Sequence, residues 1–230
     1  MHLPPLVAGT LIKRYKRFLA DVTLDDGSLV TVHCPNSGSM MGCATPGSRV
    51  LLSSSSSSTR KYPFGWELVQ VDGFWVGINT GLPNRLTREG IEDGTVVELQ
   101  GYATIRPEVP YGERSRIDLL LEGSAGRCYV EVKNVTLEES GRALFPDAVT
   151  TRGQKHLCEL MRVVREGDRG VIFFTVQRGD ANSVSPADMI DPEYGRLLRL
   201  AMANGVEALA YRALVTPEEI KLTERLPVLV

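Results

Sequence analysis

Two acidic residues and a lysine lie where two strand-like segments would fold onto one another. Asp118 sits in Arg116-Ile-Asp-Leu-Leu-Leu-Glu122, and Glu131 and Lys133 sit in Arg127-Cys-Tyr-Val-Glu-Val-Lys133. Gly123-Ser-Ala-Gly126 between them is a glycine-containing loop of hairpin length. Pairing Glu122 with Arg127 across that loop sets Leu120 opposite Tyr129 and Asp118 opposite Glu131. Directly opposed Cβ atoms are about 4.5–5.5 Å apart, and two carboxylates that close repel unless a proton or cation stands between them. Lys133, two residues beyond Glu131, emerges on the same face of its strand. A divalent cation, Mg²⁺ or Mn²⁺, suits the pair, because Mg²⁺ takes one or two carboxylates and completes its shell with water and phosphate oxygens. It would acidify a bound water and neutralise charge on a phosphate, while Lys133 would orient the water or stabilise the oxyanion. This is the chemistry of phosphodiester cleavage. Glu89, on a short predicted helix upstream, is a further candidate for a catalytic or metal-holding role. The same segments also read as an amphipathic hairpin with cross-strand ion pairs Glu122–Arg127 and Glu131–Arg116, and a one-residue slip would part the two acids.

The elements that must position these residues change character along the chain. Residues 10–24 read as one long strand with interleaved apolar and polar positions, and Asp25-Asp26-Gly27 turns it into a second strand over residues 28–34. Further strands are predicted at 49–52, 64–71 and 74–79, which makes five and fits a small OB-type barrel, with a distorted sandwich as the alternative. The serine run Ser53–Ser58 reads as an exposed loop, since the β pattern resumes after Arg60-Lys61-Tyr62. Thr80-Gly-Leu-Pro83 marks the boundary, giving domains 1–82 and 83–230, with Asn84 as N-cap of a helix over 85–92. Beyond the hairpin, Leu157, Leu160, Met161 and Val164 form a helical stripe ended by Gly167. Residues 170–176 read as a strand buried on both faces. A helix over 193–203 and a strand over 206–215 follow. Strands alternating with helices after a hairpin predict a mixed sheet flanked by helices, so the fold class is α+β in two domains.

Composition narrows the classes of function. The chain has 230 residues, 43% of them hydrophobic, and a formal net charge of −2. No apolar run approaches the ~18 residues needed to span a bilayer, and the first ten residues lack a basic n-region and a long apolar core, so no membrane partner and a cytoplasmic location are expected. Cys34, Cys43, Cys128 and Cys158 are scattered without a Cys-x-x-Cys, which suits reduced thiols. The first quarter is locally basic: Lys13, Arg14, Lys16, Arg17, Arg49, Arg60 and Lys61 face only Asp21, Asp25 and Asp26. Such patches govern encounter with a polyanion more than net charge does. Lys13, Arg14, Lys16, Arg17, Arg60 and Lys61, interleaved with Tyr15, Phe18 and Tyr62, are therefore candidate nucleic-acid contacts. Around the start of the long helix, Asp147, Thr150, Arg152, Lys155 and His156 read either as an anion site or as a capped helix with a solvated face. Arg152, Lys155 and His156 join the candidate nucleic-acid contacts on the first reading.

These segments together resemble the sugar fermentation stimulation protein A family nearly end to end. The resemblance is carried by residues 13–21 (KRYKRFLAD), 33–40 (HCPNSGSM), 60–63 (RKYP), 115–122 (SRIDLLLE), 129–137 (YVEVKNVTL) and 145–157 (FPDAVTTRGQKHL). It implies an N-terminal OB-fold and a C-terminal domain of the PD-(D/E)xK, restriction-endonuclease-like type. The acidic pair and lysine of that superfamily map to Asp118, Glu131 and Lys133, and its frequent helix glutamate to Glu89. It also implies DNA binding, single- or double-stranded, and a link to regulation of sugar-utilisation genes. One departure is Ser56–Thr59, where the family pattern carries Asn-Pro. The resulting expectation is a DNA-binding protein with a Mg²⁺- or Mn²⁺-dependent nuclease-like site. The alternatives are a non-catalytic DNA-binding regulator on a nuclease scaffold and RNA binding by the barrel.

Overall fold

Residues 1–55, 61–112, 115–124 and 126–230 are described by the structure, a computed structural model. Six strands build the first sheet: β1 (Leu6–Tyr15), β2 (Leu19–Leu24), β3 (Leu29–His33), β4 (Arg49–Ser54), β5 (Phe64–Val71) and β6 (Phe74–Gly77). Their order is β3-β2-β1-β4-β5-β6, and a parallel contact of β3 with β5 at His33 and Gly65 closes the first five into a barrel. The barrel thus has the expected five strands, divided differently. Residues 10–24 form the hairpin β1–β2, turning through Lys16 and Arg17 at φ 50° and 62°. Non-glycine residues rarely adopt that conformation, so no turn residue signals it in the sequence. Alternate side chains point inward, and Leu11, Val22, Val32, Val50, Leu52, Trp66 and Val69 fill the barrel.

The second unit begins with α1 (Pro83–Glu92) and a 3₁₀ turn at Val97–Leu99. It continues through β7 (Thr104–Tyr111), β8 (Ser115–Gly123), β9 (Gly126–Val135), β10 (Leu137–Glu139), β11 (Arg142–Phe145), α2 (Thr151–Arg165), β12 (Arg169–Val176), β13 (Ser183–Pro186), α3 (Pro192–Ala203), β14 (Glu207–Val215) and β15 (Ile220–Leu226). The main sheet runs β15-β14-β12-β9-β8-β7, with β9, β12 and β14 parallel and the outer pairings antiparallel. Helix α2 starts where the Thr150 hydroxyl accepts the Gly153 N–H at 3.0 Å, a cap that satisfies an otherwise orphan donor. Its Leu157, Leu160 and Val163 bury against one sheet face together with Tyr194, Leu197 and Leu198 of α3. Leu86 and Ile91 of α1 pack against the other face.

That second face is shared between the two units. Leu51 and Leu68 of the barrel sheet join Leu86, Leu119, Phe173 and Tyr211 in one core. The first residues of the chain also belong there: the Leu3 N–H donates to the Glu218 carbonyl at 2.8 Å, and the Ile220 N–H to the Met1 carbonyl at 2.9 Å. Arg178, buried, joins Asp180 at 2.6 Å with Asp72 and Glu138 at 3.2 Å. No described helix is long and apolar enough to cross a membrane.

Candidate active site

The hairpin register follows from its loop. Glu122 pairs with Arg127 and Leu120 with Tyr129, but the β8–β9 ladder ends at Leu119–Val130. Asp118 and Glu131 therefore meet across strands that are parting. The side-chain pattern of β8 changes at this point as well. Leu119 and Leu121 enter the α1-side core and Leu120 the α2-side core, yet Ile117 also enters the α2-side core, so strict alternation breaks at Asp118. The Asp118 carboxylate reaches over to accept the Val132 N–H at 2.7 Å, replacing a lost ladder bond. On β9 the alternation holds: Cys128, Val130 and Val132 face the α1 side, and Tyr129 and Val135 the α2 side. Glu131 and Lys133 consequently project toward α2.

There Glu131 is 2% exposed, and its Oε1 accepts from Lys133 Nζ at 2.8 Å and from His156 Nδ1. Arg152 Nε donates to His156 Nε2 at 3.4 Å. That bond places the ring lone pair on Nε2 and the ring proton on Nδ1, directed at Glu131. From α1, Asn84 Nδ2 donates to Asp118 Oδ1 at 2.9 Å and to Glu108 Oε1 at 3.2 Å. Glu108 stands across from Asp118 on β7, between the pairs Pro107–Leu119 and Val109–Ile117, and holds φ 53°, a strained conformation that persists only where its surroundings impose it. The barrel supplies the facing wall. Arg14 donates to the carbonyls of Asn36 (2.8 Å), Gly38 (2.9 Å) and Ser39 (3.1 Å). The loop so held docks on Asp147, whose Oδ2 accepts the Met40 N–H at 2.8 Å. Gly38 packs closely at that contact: a Cβ would lie 3.0 Å from Asp147 Oδ1 and 3.1 Å from Asn36 Oδ1, so these side chains would have to give way. The result is a cleft of about 400 Å³ between the two units, lined by Asn36, Gly38, Asn84, Glu108, Asp118, Glu131, Lys133, Asp147, Arg152 and His156.

The two carboxyls are held in opposite states. Burial, reinforced by the charge of Glu131, pushes the Asp118 carboxyl up to about 6 against the pull of the Val132 and Asn84 donors. Burial also opposes ionisation of Glu131, but Lys133 and His156 outweigh it and hold that carboxyl below the ordinary range. Glu131 Oε2 is buried and accepts no hydrogen bond, an arrangement that costs free energy unless a cation or donor supplies the missing partner. Among the described residues no three His, Cys, Asp or Glu side chains group to hold a metal. The donor set is instead a carboxylate pair with one oxygen unengaged, which fits a hard divalent ion that brings its own waters.

Several expected residues take other places. Glu89 is not at the site; its carboxylate is held by the Met1 ammonium at 2.9 Å and Arg85 at 2.8 Å. At 3.6 residues per turn, Glu89 faces well away from Asn84, five positions earlier, and Asn84 is the α1 residue that reaches Asp118 instead of capping the helix. His156 is not a surface phosphate contact but a buried group oriented on Glu131, 3% exposed. Arg14 is not a free base, because three carbonyls of the cleft loop and the Arg17 carbonyl take up its donors. Lys13 pairs with Asp21 at 3.6 Å. Lys16 and Arg17 are exposed at the hairpin tip, and Lys61 is exposed beside the Tyr62 ring. Arg60 lies outside the described residues. Arg152 lines the cleft, and Lys155 lines an adjoining cavity. Asn84, Glu108 and the loop at Asn36–Met40 are site residues that the sequence does not mark as such, while Asp147, read there with the α2 anion-site candidates, instead anchors the cleft loop. Their only sequence signals were an asparagine beside Pro83 and an Asn-Ser-Gly-Ser segment.

An OB-type barrel joined to a mixed sheet, with paired carboxylates and a lysine where the central strands part, defines a two-domain protein with a restriction-endonuclease-like second half. The family models for the "SfsA N-terminal OB domain" and the "Sugar fermentation stimulation protein RE domain" match residues 12–78 and 81–219. The chain belongs to the sugar fermentation stimulation protein family. It is 80% identical over 229 residues to the sugar fermentation stimulation protein homolog of Pelobacter propionicus and 75% identical over 231 residues to that of Geobacter metallireducens, each alignment covering 100% of both chains. The solved structure of Pyrococcus furiosus SfsA in complex with Ca²⁺ superposes with a TM-score of 0.92 at 28% identity, covering 100% of this chain and 98% of that one.

Proposed function

We propose that this protein binds DNA and hydrolyses phosphodiester bonds at a divalent-metal centre held by Asp118 and Glu131. The observation that carries this reading is the buried, unpartnered Oε2 of Glu131 next to the Asp118 carboxyl, which burial, reinforced by the Glu131 charge, keeps protonated at mildly acid pH. Both features call for a cation, and the Pyrococcus furiosus family member was solved in complex with Ca²⁺. Asp118, fixed by the Val132 N–H and Asn84, and Glu131, fixed by His156, would hold Mg²⁺ or Mn²⁺. When bound, the ion would activate water and offset charge on the phosphate. Lys133, already 2.8 Å from Glu131, would turn its remaining donors to a phosphate oxygen. The exposed bases Lys16, Arg17 and Lys61 of the barrel and Arg152 and Lys155 of α2 would track the backbone. DNA is the favoured substrate, with RNA as the competing polymer in the assay, and regulation of sugar-utilisation genes is the proposed cellular setting.

Labelled single- and double-stranded DNA and RNA incubated with Mg²⁺ or Mn²⁺ provide the test. Wild type should cleave DNA, EDTA should abolish cleavage, and Glu131→Ala should reduce it by roughly 10²-fold or more, as loss of a charge-stabilising group does. A second reading has an observation of its own. The Lys133 ammonium on Glu131 Oε1 already compensates one carboxylate, as in a scaffold that binds DNA without cutting. Equal traces for wild type and Glu131→Ala, with both retarding DNA, would favour that non-catalytic regulator.

A further inference from the structure

Beside the candidate cleft, and continuous with it through Glu108, Arg152 and His156, lies a second and larger cavity of about 810 Å³. Its other walls are Pro110 from β7, Ser115 and Arg116 from β8 and Thr151 and Lys155 from α2. On these elements and their neighbours, several arginines are neutralised by carboxylates: Arg106 by Glu122, Arg127 by Asp168, and Arg162 by Glu159. Arg116 and Arg152 are exceptions. Among the described residues neither forms an ion pair, although Glu108 is close by. Arg116 Nη1 instead donates to the Glu108 carbonyl at 2.8 Å, which aims its guanidinium along the cavity wall. Arg152 spends only its Nε on His156. Two guanidiniums with unneutralised charge, from different elements and flanked by the Ser115 and Thr151 side chains, match the chemistry of a phosphodiester oxygen.

We infer that this cavity is a backbone-phosphate subsite, in which Arg116 and Arg152 hold a phosphate adjacent to the one being cleaved. The nucleic acid then leaves the cleft between β8 and the start of α2, along a path the basic barrel hairpin does not line. The inference rests on the reading of the cleft as a phosphodiester site.

Fluorescence anisotropy of a labelled oligonucleotide in EDTA, so that nothing is cut, isolates the subsite. Arg116→Gln and Arg152→Gln should each weaken binding roughly 3- to 10-fold and lower the slope of log K against log salt by about 0.7–0.9, the signature of one lost phosphate contact. Arg106→Gln, on the neighbouring strand but paired with Glu122, should leave both unchanged. Circular dichroism melts keep a folding defect from passing as a binding defect, and Arg116→Lys should recover part of the salt slope. If wild type binds with a clear salt dependence and Arg116→Gln binds equally well, the subsite is wrong while the cleft reading stands. If wild type shows no salt-dependent binding, both fall.

Discussion

At the scale of single residues, Asp118 and Glu131 share one environment but split in their protonation. A carboxyl whose pKa is raised on folding binds its proton more tightly in the native state than in the unfolded chain. Native protein is therefore favoured at low pH and loses that advantage as pH rises from near 4 to about 6. Without metal, Asp118 thus weakens the fold above pH 6. Asp118→Asn is expected to raise the melting temperature at pH 7.5 in EDTA by a few degrees, corresponding to about 1–2 kcal/mol, with little gain at pH 4.5. Mg²⁺ should raise the melting temperature of wild type but not of this variant, and more at pH 7.5 than at pH 5, where the proton competes for Asp118. A variant that melts below wild type at pH 7.5 would contradict the assignment. Glu131 has the opposite sign: its stabilisation, present at neutral pH, is lost as pH falls through its lowered value.

At the scale of elements, the site depends on a loop that is itself held through its backbone carbonyls. Arg14 anchors the loop over Asn36–Ser39, and that loop is the barrel's wall of the cleft. Arg14→Ala should cost about 2 kcal/mol, since charge-assisted bonds are worth about 1.5–3 kcal/mol each and these are partly exposed. Hydrogen exchange at the Gly38 and Met40 amides should accelerate while amides in β9 and β12 do not change. Arg14→Lys should restore little, because an ammonium is a point charge that cannot span three carbonyls. Unchanged exchange at Met40 would show that Asp147 alone fixes the loop. Strand β7 teaches a related lesson. Pro107 and Pro110 argue against a strand, but β7 is the edge of its sheet, where missing N–H donors face outward. The prolines hid both the strand and its Glu108 from sequence reading.

At the scale of the whole molecule, the barrel and the second unit share a core and form the cleft between them. Leu68 of β5 is fully buried among second-unit side chains, so the two should not melt separately. Calorimetry is expected to give one transition, and Leu68→Ala, at a cost of about 2–5 kcal/mol, should shift it as a whole. Two resolved transitions, with only one moved, would mean that the units are energetically independent. The shared core also brings the two walls of the candidate cleft together at their junction, where the Asn36–Met40 loop of the barrel docks on Asp147 of the second unit.

The sequence determined what depends on near neighbours. The glycine-containing segment between the two apolar runs set the β8–β9 register, with Glu122 opposite Arg127, the apolar stripe with Gly167 set α2, and the alternation along β9 put Glu131 and Lys133 on one face. Each follows from chain periodicity and short-range geometry, and the family resemblance joined them into a candidate site. Tertiary structure alone decided which residues surround that pair. His156 is 25 positions from Glu131 and Asn84 is 34 from Asp118, and no periodicity relates residues brought together by helix packing on a sheet. It also set aside Glu89, whose carboxylate is engaged by Arg85 and Met1, and turned Arg14 inward as a loop anchor. Residue type names the available charges, but only packing decides which are already spent on the protein itself.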